Sequence, residues 1–153
     1  MLQLNIMTLT YLTRLFLPSM ISCKKGMILN IASTAAFQSG PLMAVYFASK
    51  AYVLSFSSAI AQELKGSGVS ITCLCPGPTA TGFQLSTFQR EIRLNHGRKL
   101  PSAKEVAEYG YRAMLNGQVE AIHGRINRLM VLCVRFLPQW IVLKIVHFQQ
   151  ESV

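Results

Sequence analysis

The chain has 153 residues, enough for one domain with its own core and too few for two. Apolar residues make up 51% of it and charged residues 14%, against about a quarter charged in an average soluble domain, so much of its surface is expected to be covered. The formal charge of +9 raises nucleic acid as a partner, but the basic residues are scattered, with local pairs only at Lys24-Lys25 and Arg98-Lys99. No basic stripe is interleaved with aromatics, so no nucleic-acid binding is expected.

The first 22 residues are apolar, yet they lack a basic leading region and carry Asn5, Thr8, Thr10 and Arg14. They read as a helix from inside a domain over 4–20, ending near Pro18, rather than as a secretory leader. Gly26 opens the run 27–33, whose continuous apolar character predicts a strand buried on both faces, as in a parallel sheet. After Ser39-Gly40-Pro41, residues 43–65 form a long helical pattern closed by Gly66-Ser67-Gly68. A second buried strand, 69–75, is broken at once by Pro76-Gly77-Pro78, because proline donates nothing to a ladder and fixes its own φ. Residues 79–100 have no strong period and are expected to form a substrate loop over a site.

Ser102 followed by Glu105 is a capping-box signature, starting a helix that runs to about Asn116-Gly117. A short third strand is expected at 119–123, and a hydrophobic C-terminal helix over 125–150. Arg135, Pro138, Gln139 and Lys144 interrupt the apolar stretch 129–146 before it reaches a bilayer-spanning length. Basic residues beside a strongly apolar face leave peripheral membrane contact through 125–148 as an open alternative.

Alternation of helix and strand in this order predicts the α/β class: a partial Rossmann-like, doubly wound parallel sheet of about three strands flanked by helices. A complete dinucleotide domain has two βαβαβ halves, so residues 1–153 are expected to form a single incomplete domain of this type, its C-terminal half. Four cysteines, at 23, 73, 75 and 133, show neither C-x-x-C nor disulfide spacing, and Cys73 and Cys75 share a strand face as packing residues. His96, His123 and His147 are not spaced as ligands, and no metal is expected. Trp140 reads as a core, dimer or membrane-interface anchor.

The residues that carry chemistry are Tyr46-Phe47-Ala48-Ser49-Lys50, a Y-x-x-x-K on a helix, where residues four apart lie on one face. A phenol near its ordinary pKa of about 10 is a poor acid at neutral pH, and a neighbouring ammonium favours the phenolate. By itself the pattern is weak, because a solvated lysine beside a packed tyrosine is the commoner reading of that spacing. Context sharpens it, because Ser33 and Pro76-Gly77-Pro78-Thr79-Ala80-Thr81 follow the carboxyl ends of the two strands, where open α/β sheets place ligands.

Four ordered motifs resemble the short-chain dehydrogenase/reductase family: Leu4-Asn5 in a helix ending Leu17-Pro18-Ser19-Met20, then Ile28-Leu29-Asn30-Ile31-Ala32-Ser33, Tyr46-Phe47-Ala48-Ser49-Lys50-Ala51 and Cys75-Pro76-Gly77-Pro78-Thr79-Ala80-Thr81. The resemblance implies an oxidoreductase that moves hydride between NAD or NADP and a small carbonyl or alcohol substrate. It implies Tyr46 as proton-transferring acid or base that also contacts the cofactor, and Ser33 as hydrogen-bond partner of the substrate oxygen. Lys50 is implied to bind the nicotinamide ribose and lower the Tyr46 pKa, and Asn5 to hold a water linking Lys50 to solvent. Pro76 and Gly77 are implied to let backbone approach the nicotinamide, and Thr79 and Thr81 to bind its carboxamide or the phosphates. The simpler readings are a helix cap for Asn5 and turn closure for the two threonines.

The family's glycine-rich strand-to-helix turn, which cradles the cofactor phosphates, has no counterpart here, since Gly66-Ser67-Gly68 precedes a strand. The expectation is therefore a truncated or split gene product, inactive as an isolated chain and paired with a complementary N-terminal half or with copies of itself. The alternative is a catalytically silent remnant serving as an association or peripheral membrane module. A cytoplasmic location is expected, with membrane association as its variant.

Overall fold

The computed structural model describes residues 1–80 and 100–151. Its centre is a parallel sheet of three strands in the order β1 (Gly26–Ile31), β2 (Val69–Cys75), β3 (Glu120–Ile122). Gly26 lies opposite Val69 and Ile31 opposite Leu74, while Cys73 lies opposite Glu120 and Cys75 opposite Ile122. Six of the seven residues of β2 are buried, as its unbroken apolar run requires of a central strand.

Side chains alternate across this strand and sort the core into two layers. On one face, Cys73 and Cys75 pack with Val53 of α2 (Ala44–Glu63), and Ile71 packs with Leu64 just beyond it. On the other, Leu74 meets Val106 and Ala113 of α3 (Ala103–Leu115). Helices on both faces of a parallel sheet make this the Rossmann-like α/β arrangement expected from the alternation of elements. The capping box at the start of α3 is present: the Glu105 amide donates to Ser102 Oγ at 3.2 Å, and the Ser102 amide to Glu105 Oε2 at 2.7 Å.

Three expectations need correction. Helix α1 (Leu9–Ser22) runs through Pro18 and ends one turn later. Proline removes a single helical bond there, whereas the turn after it is kept: the Cys23 amide donates to Ser19 O at 3.0 Å, and Lys24 takes a left-handed φ of 50° so that the Lys25 amide reaches Met20 O at 3.1 Å. Strand β1 stops at Ile31, before Ser33, and exposes Met27 and Ile31, because it pairs with β2 alone among the described residues. The C-terminal segment is two helices, α4 (Arg125–Phe136) and α5 (Gln139–Glu151). Leu137, forced out of the helical region by the proline after it, is extended at φ −84°, ψ 139° and breaks the run.

The substrate-loop expectation over 79–100 falls mostly on residues 81–99, which lie outside the described residues. Its flanks are joined, as Ala80 bridges Ser102 in parallel and the Ala80 amide donates to Pro101 O at 3.0 Å. One described helix, α2, is long and apolar enough to cross a membrane. It lies instead along β2 and the residues after β1, with Ser49 and Ser57 wholly buried and Ser57 Oγ accepting from Asn30 at 2.9 Å. One face of the helix is thus packed against the sheet.

Candidate active site

Beyond Ile31 and Cys75 the two strands release their chains side by side. The Ala32 amide donates to Leu74 O at 2.8 Å and the Thr34 amide to Pro76 O at 2.9 Å, so pairing continues past the ends of the strands. Ser33 is extended and caps the 3-10 turn Thr34–Phe37, its Oγ accepting from the Ala35 amide at 3.1 Å and lying 3.4 Å from Pro76 O as donor. This holds the serine at the rim of the sheet.

Tyr46 and Lys50 stand one turn apart near the start of α2. The Lys50 side chain crosses back to the end of β1, where Nζ donates to Ile31 O at 3.1 Å, and the ammonium lies 5.9 Å from the centre of the Tyr46 ring. Burial pushes the Lys50 amine below the ordinary lysine range, with Cys73 and Cys75 acting in the opposite direction. The Tyr46 ring meets Phe47 edge to face at 5.9 Å.

Asn5 occupies no helix cap. It lies inside a π-helical stretch, Gln3–Thr8, that leads into α1. Single π-helical turns widen the backbone and recur at functional sites. Asn5 Nδ2 donates to Ser49 Oγ at 3.1 Å, and Ser49 Oγ donates to Tyr46 O at 2.8 Å, tying the π-helical turn to the turn of α2 that carries the phenol. Ser49 was not singled out from the sequence; a serine inside a helix, within the Y-x-x-x-K itself, was the available signal.

These residues open onto one cleft of about 710 Å³, lined by Asn5, Ser33, Tyr46, Lys50, Pro76, Gly77 and Thr79, with Leu4, Ile31, Leu74 and Val106 among its apolar walls. Thr81 lies outside the described residues. Thr79 Oγ1 donates to Gly77 O at 2.9 Å, closing its own turn while facing the cleft. A Cβ on Gly77 would collide with the side-chain amide of Asn127, whose Nδ2 donates to His123 O at 2.7 Å. The close approach that demands glycine here is thus made by α4, and Asn127 is a second residue that reading the sequence missed.

Cys73 and Cys75 share a face of β2 with their sulfurs 4.0 Å apart, and the hydrogen-bonded Cys73 together with burial pushes the Cys75 thiol far up, away from nucleophilic chemistry. Trp140 is exposed and is not a core residue.

Residues 1–92 match the family profile for short chain dehydrogenase. Among curated proteins, ketoacyl reductase HetN of a Nostoc species is 37% identical over 77% of this chain and 40% of its own length. Human very-long-chain 3-oxoacyl-CoA reductase is 30% identical over 99% of this chain and 46% of its own. The chain therefore spans less than half the length of these relatives. Among solved structures, a 7beta-hydroxysteroid dehydrogenase superposes with a TM-score of 0.82 at 19% identity, covering 96% of this chain and 57% of the other. A Sphingobium yanoikuyae short-chain dehydrogenase in complex with NADPH gives 0.70 at 24%, covering 88% and 52%.

Proposed function

The chain belongs to the short-chain dehydrogenase family, and on that premise we propose that it forms the proton-transfer and substrate side of an NAD- or NADP-dependent reductase of 3-oxoacyl thioesters. The observation that carries this reading is the single cleft onto which Ser33, Tyr46 and Lys50 open together. Ser33 Oγ donates to the substrate carbonyl oxygen and orients it. Tyr46 Oη passes its proton to that oxygen as the carbonyl becomes an alcohol, and takes one back in the reverse direction. Lys50, poorly solvated and held by Ile31 O, sets a positive charge beside the phenol and stabilises negative charge there. Asn5 and Ser49 act as positioning residues through the carbonyl of Tyr46.

When bound, a nicotinamide dinucleotide supplies or accepts the hydride. The residues present fit its nicotinamide and ribose end, where Lys50, Pro76, Gly77 and Thr79 would hold it, with Thr81 an added candidate. Its pyrophosphate finds no cradle among the described residues. The turns that follow β1, β2 and β3 carry Ser33-Thr34, Pro76-Gly77 and His123-Gly124, and none is the glycine-rich strand-to-helix turn that phosphates require. The 153 residues thus act as one incomplete dinucleotide-binding domain, inactive alone and completed by a complementary half that carries the cradle, while pairing with a further copy would cover apolar surface only. An apolar face of α1 and the turn before it, formed by Leu4, Met7, Tyr11 and Leu15, is exposed and available to such a partner. A cytoplasmic location suits a soluble cofactor. The same missing cradle favours a second reading, a silent remnant that acts through association.

Calorimetric titration with NADPH and NADH tests the division of labour. The chain alone is expected to show no saturable binding, and the chain extended at its N-terminus by the glycine-rich β–α–β unit of a relative is expected to bind one of the two at micromolar concentration. Micromolar binding by the 153 residues alone overturns the proposal that the phosphate site lies elsewhere.

A further inference from the structure

The C-terminal helices carry apolar residues on their outward faces as well as on the faces packed against the body. In α4 the side chains turned toward the body are Asn127, Val131 and Val134, and the opposite face carries Ile126, Leu129, Leu132 and Phe136. Leu129 is 61% and Phe136 81% exposed. In α5, Val142 and Val146 pack on Ala35 and Phe47 behind the cleft, whereas Trp140 and Phe148 on the far side are 61% and 71% exposed. Isolated exposed apolar residues are ordinary, but a contiguous amphipathic face directed outward marks an interaction surface.

The charges decide what covers it. Residues 125–150 contain no Asp or Glu and four fixed cations, Arg125, Arg128, Arg135 and Lys144. Two cations are engaged within the chain. Arg128 donates to Ile122 O at 3.0 Å and to Tyr109 Oη at 2.6 Å, and Arg135 pairs with Glu120 at 3.6 Å. Arg125 and Lys144 are exposed, with the Lys144 ammonium over the Trp140 ring at 5.3 Å. A second copy laid on this surface would set Arg125 and Lys144 against their like, since the two helices hold four cations and one carboxylate, Glu151 at the end of α5. An anionic bilayer supplies both an acyl layer for the apolar face and phosphate charge for the cations, and a tryptophan with a lysine over its ring suits the interfacial zone where one end is dry and the other wet.

We propose that the outward faces of α4 and α5 lie on the surface of an anionic lipid membrane, with Leu129, Phe136, Trp140 and Phe148 inserted among the acyl chains and Arg125 and Lys144 at the headgroups. Helix α5 packs on Ala35 and Phe47, beside Tyr46, through Val142 and Val146, so docking brings the cleft close to the lipid phase.

Vesicle flotation tests this with the full chain, using phosphatidylcholine vesicles with and without phosphatidylserine; flotation separates binding from precipitation. The chain is expected to float with the phosphatidylserine vesicles and to be released as salt is raised. Leu129→Ser with Phe136→Ser is expected to weaken flotation by about tenfold or more at an unchanged circular dichroism spectrum, because both side chains are exposed. Arg125→Glu with Lys144→Glu is expected to remove the preference for phosphatidylserine. Failure to float with either vesicle, or flotation undiminished in both double variants, overturns the proposal. So does a wild-type dimer that leaves vesicles unbound and becomes monomeric in the Leu129→Ser, Phe136→Ser variant, which assigns the face to a second copy.

Discussion

Tyr46→Phe is expected to slow carbonyl reduction by about 100- to 10,000-fold in the protein completed with its cofactor-phosphate half, the range spanned by loss of a positioned general acid. The substitution removes one hydroxyl and keeps the ring that meets Phe47 edge to face, so the turn of α2 built on Ser49 and the Lys50 bond to Ile31 O remain in place. Thermal unfolding is therefore expected to change little, and cofactor affinity to stay within a few-fold. Steady-state turnover with NADPH and a 3-oxoacyl thioester gives the answer. A loss smaller than tenfold shows that another group donates the proton, and an equal loss of cofactor binding shows that the phenol serves to hold the dinucleotide.

Ile71→Ala, near the start of β2, is expected to cost about 2–5 kcal/mol of stability, as truncation of a buried isoleucine does when its surroundings relax only in part. Ile71 is 1% exposed and packs with Leu64 and Val69, flanked by Leu17 and Met20 of α1 and Ile28 of β1. It thereby joins α1, α2 and two strands at once. Against a total stability of about 5–15 kcal/mol for a typical domain, that is a large fraction. Urea unfolding followed by circular dichroism measures it, with the exposed Phe136→Ser as the contrast, expected within about 0.5 kcal/mol. A cost below about 1 kcal/mol for Ile71→Ala contradicts its place in a close-packed core.

The two residues also mark what the sequence discloses. Strand β2 was legible to its last residue because a central parallel strand is apolar on both faces and its ends are punctuated, by Gly68 before it and Pro76 after it. The helix after Ser102 was legible because its cap is a local pair of side chains. Two prolines of the same chemistry behaved differently: Pro18 is carried inside α1, while Pro138 divides α4 from α5. Local propensity cannot separate those cases. Leu17 and Met20, on either side of Pro18, are held against Ile71 and Val69, whereas exposed Leu137 and Phe136 have no comparable anchorage.

The site divides in the same way. Ser33, Tyr46 and Lys50 stood out because strand ends and a four-residue helical spacing place them, and these are local facts. Ser49 and Asn127 did not stand out, since one acts through Asn5, far away in sequence, and the other through the shape of Gly77. The outward direction of the apolar face on α4 was equally hidden, because periodicity reveals that a helix is two-faced and leaves open which face the body takes.

The central claim is that one cleft presents Ser33, Tyr46 and Lys50 to a single carbonyl. Its most direct test is the reaction of acetoacetyl-CoA with NADPH and the chain extended by a glycine-rich β–α–β unit. Consumption of NADPH matched mole for mole by a 3-hydroxyacyl product, and abolished by Ser33→Ala with Tyr46→Phe, is the expected result. An extended chain that binds NADPH at micromolar concentration and leaves 3-oxoacyl, ketone and aldehyde carbonyls alike unreduced would contradict it.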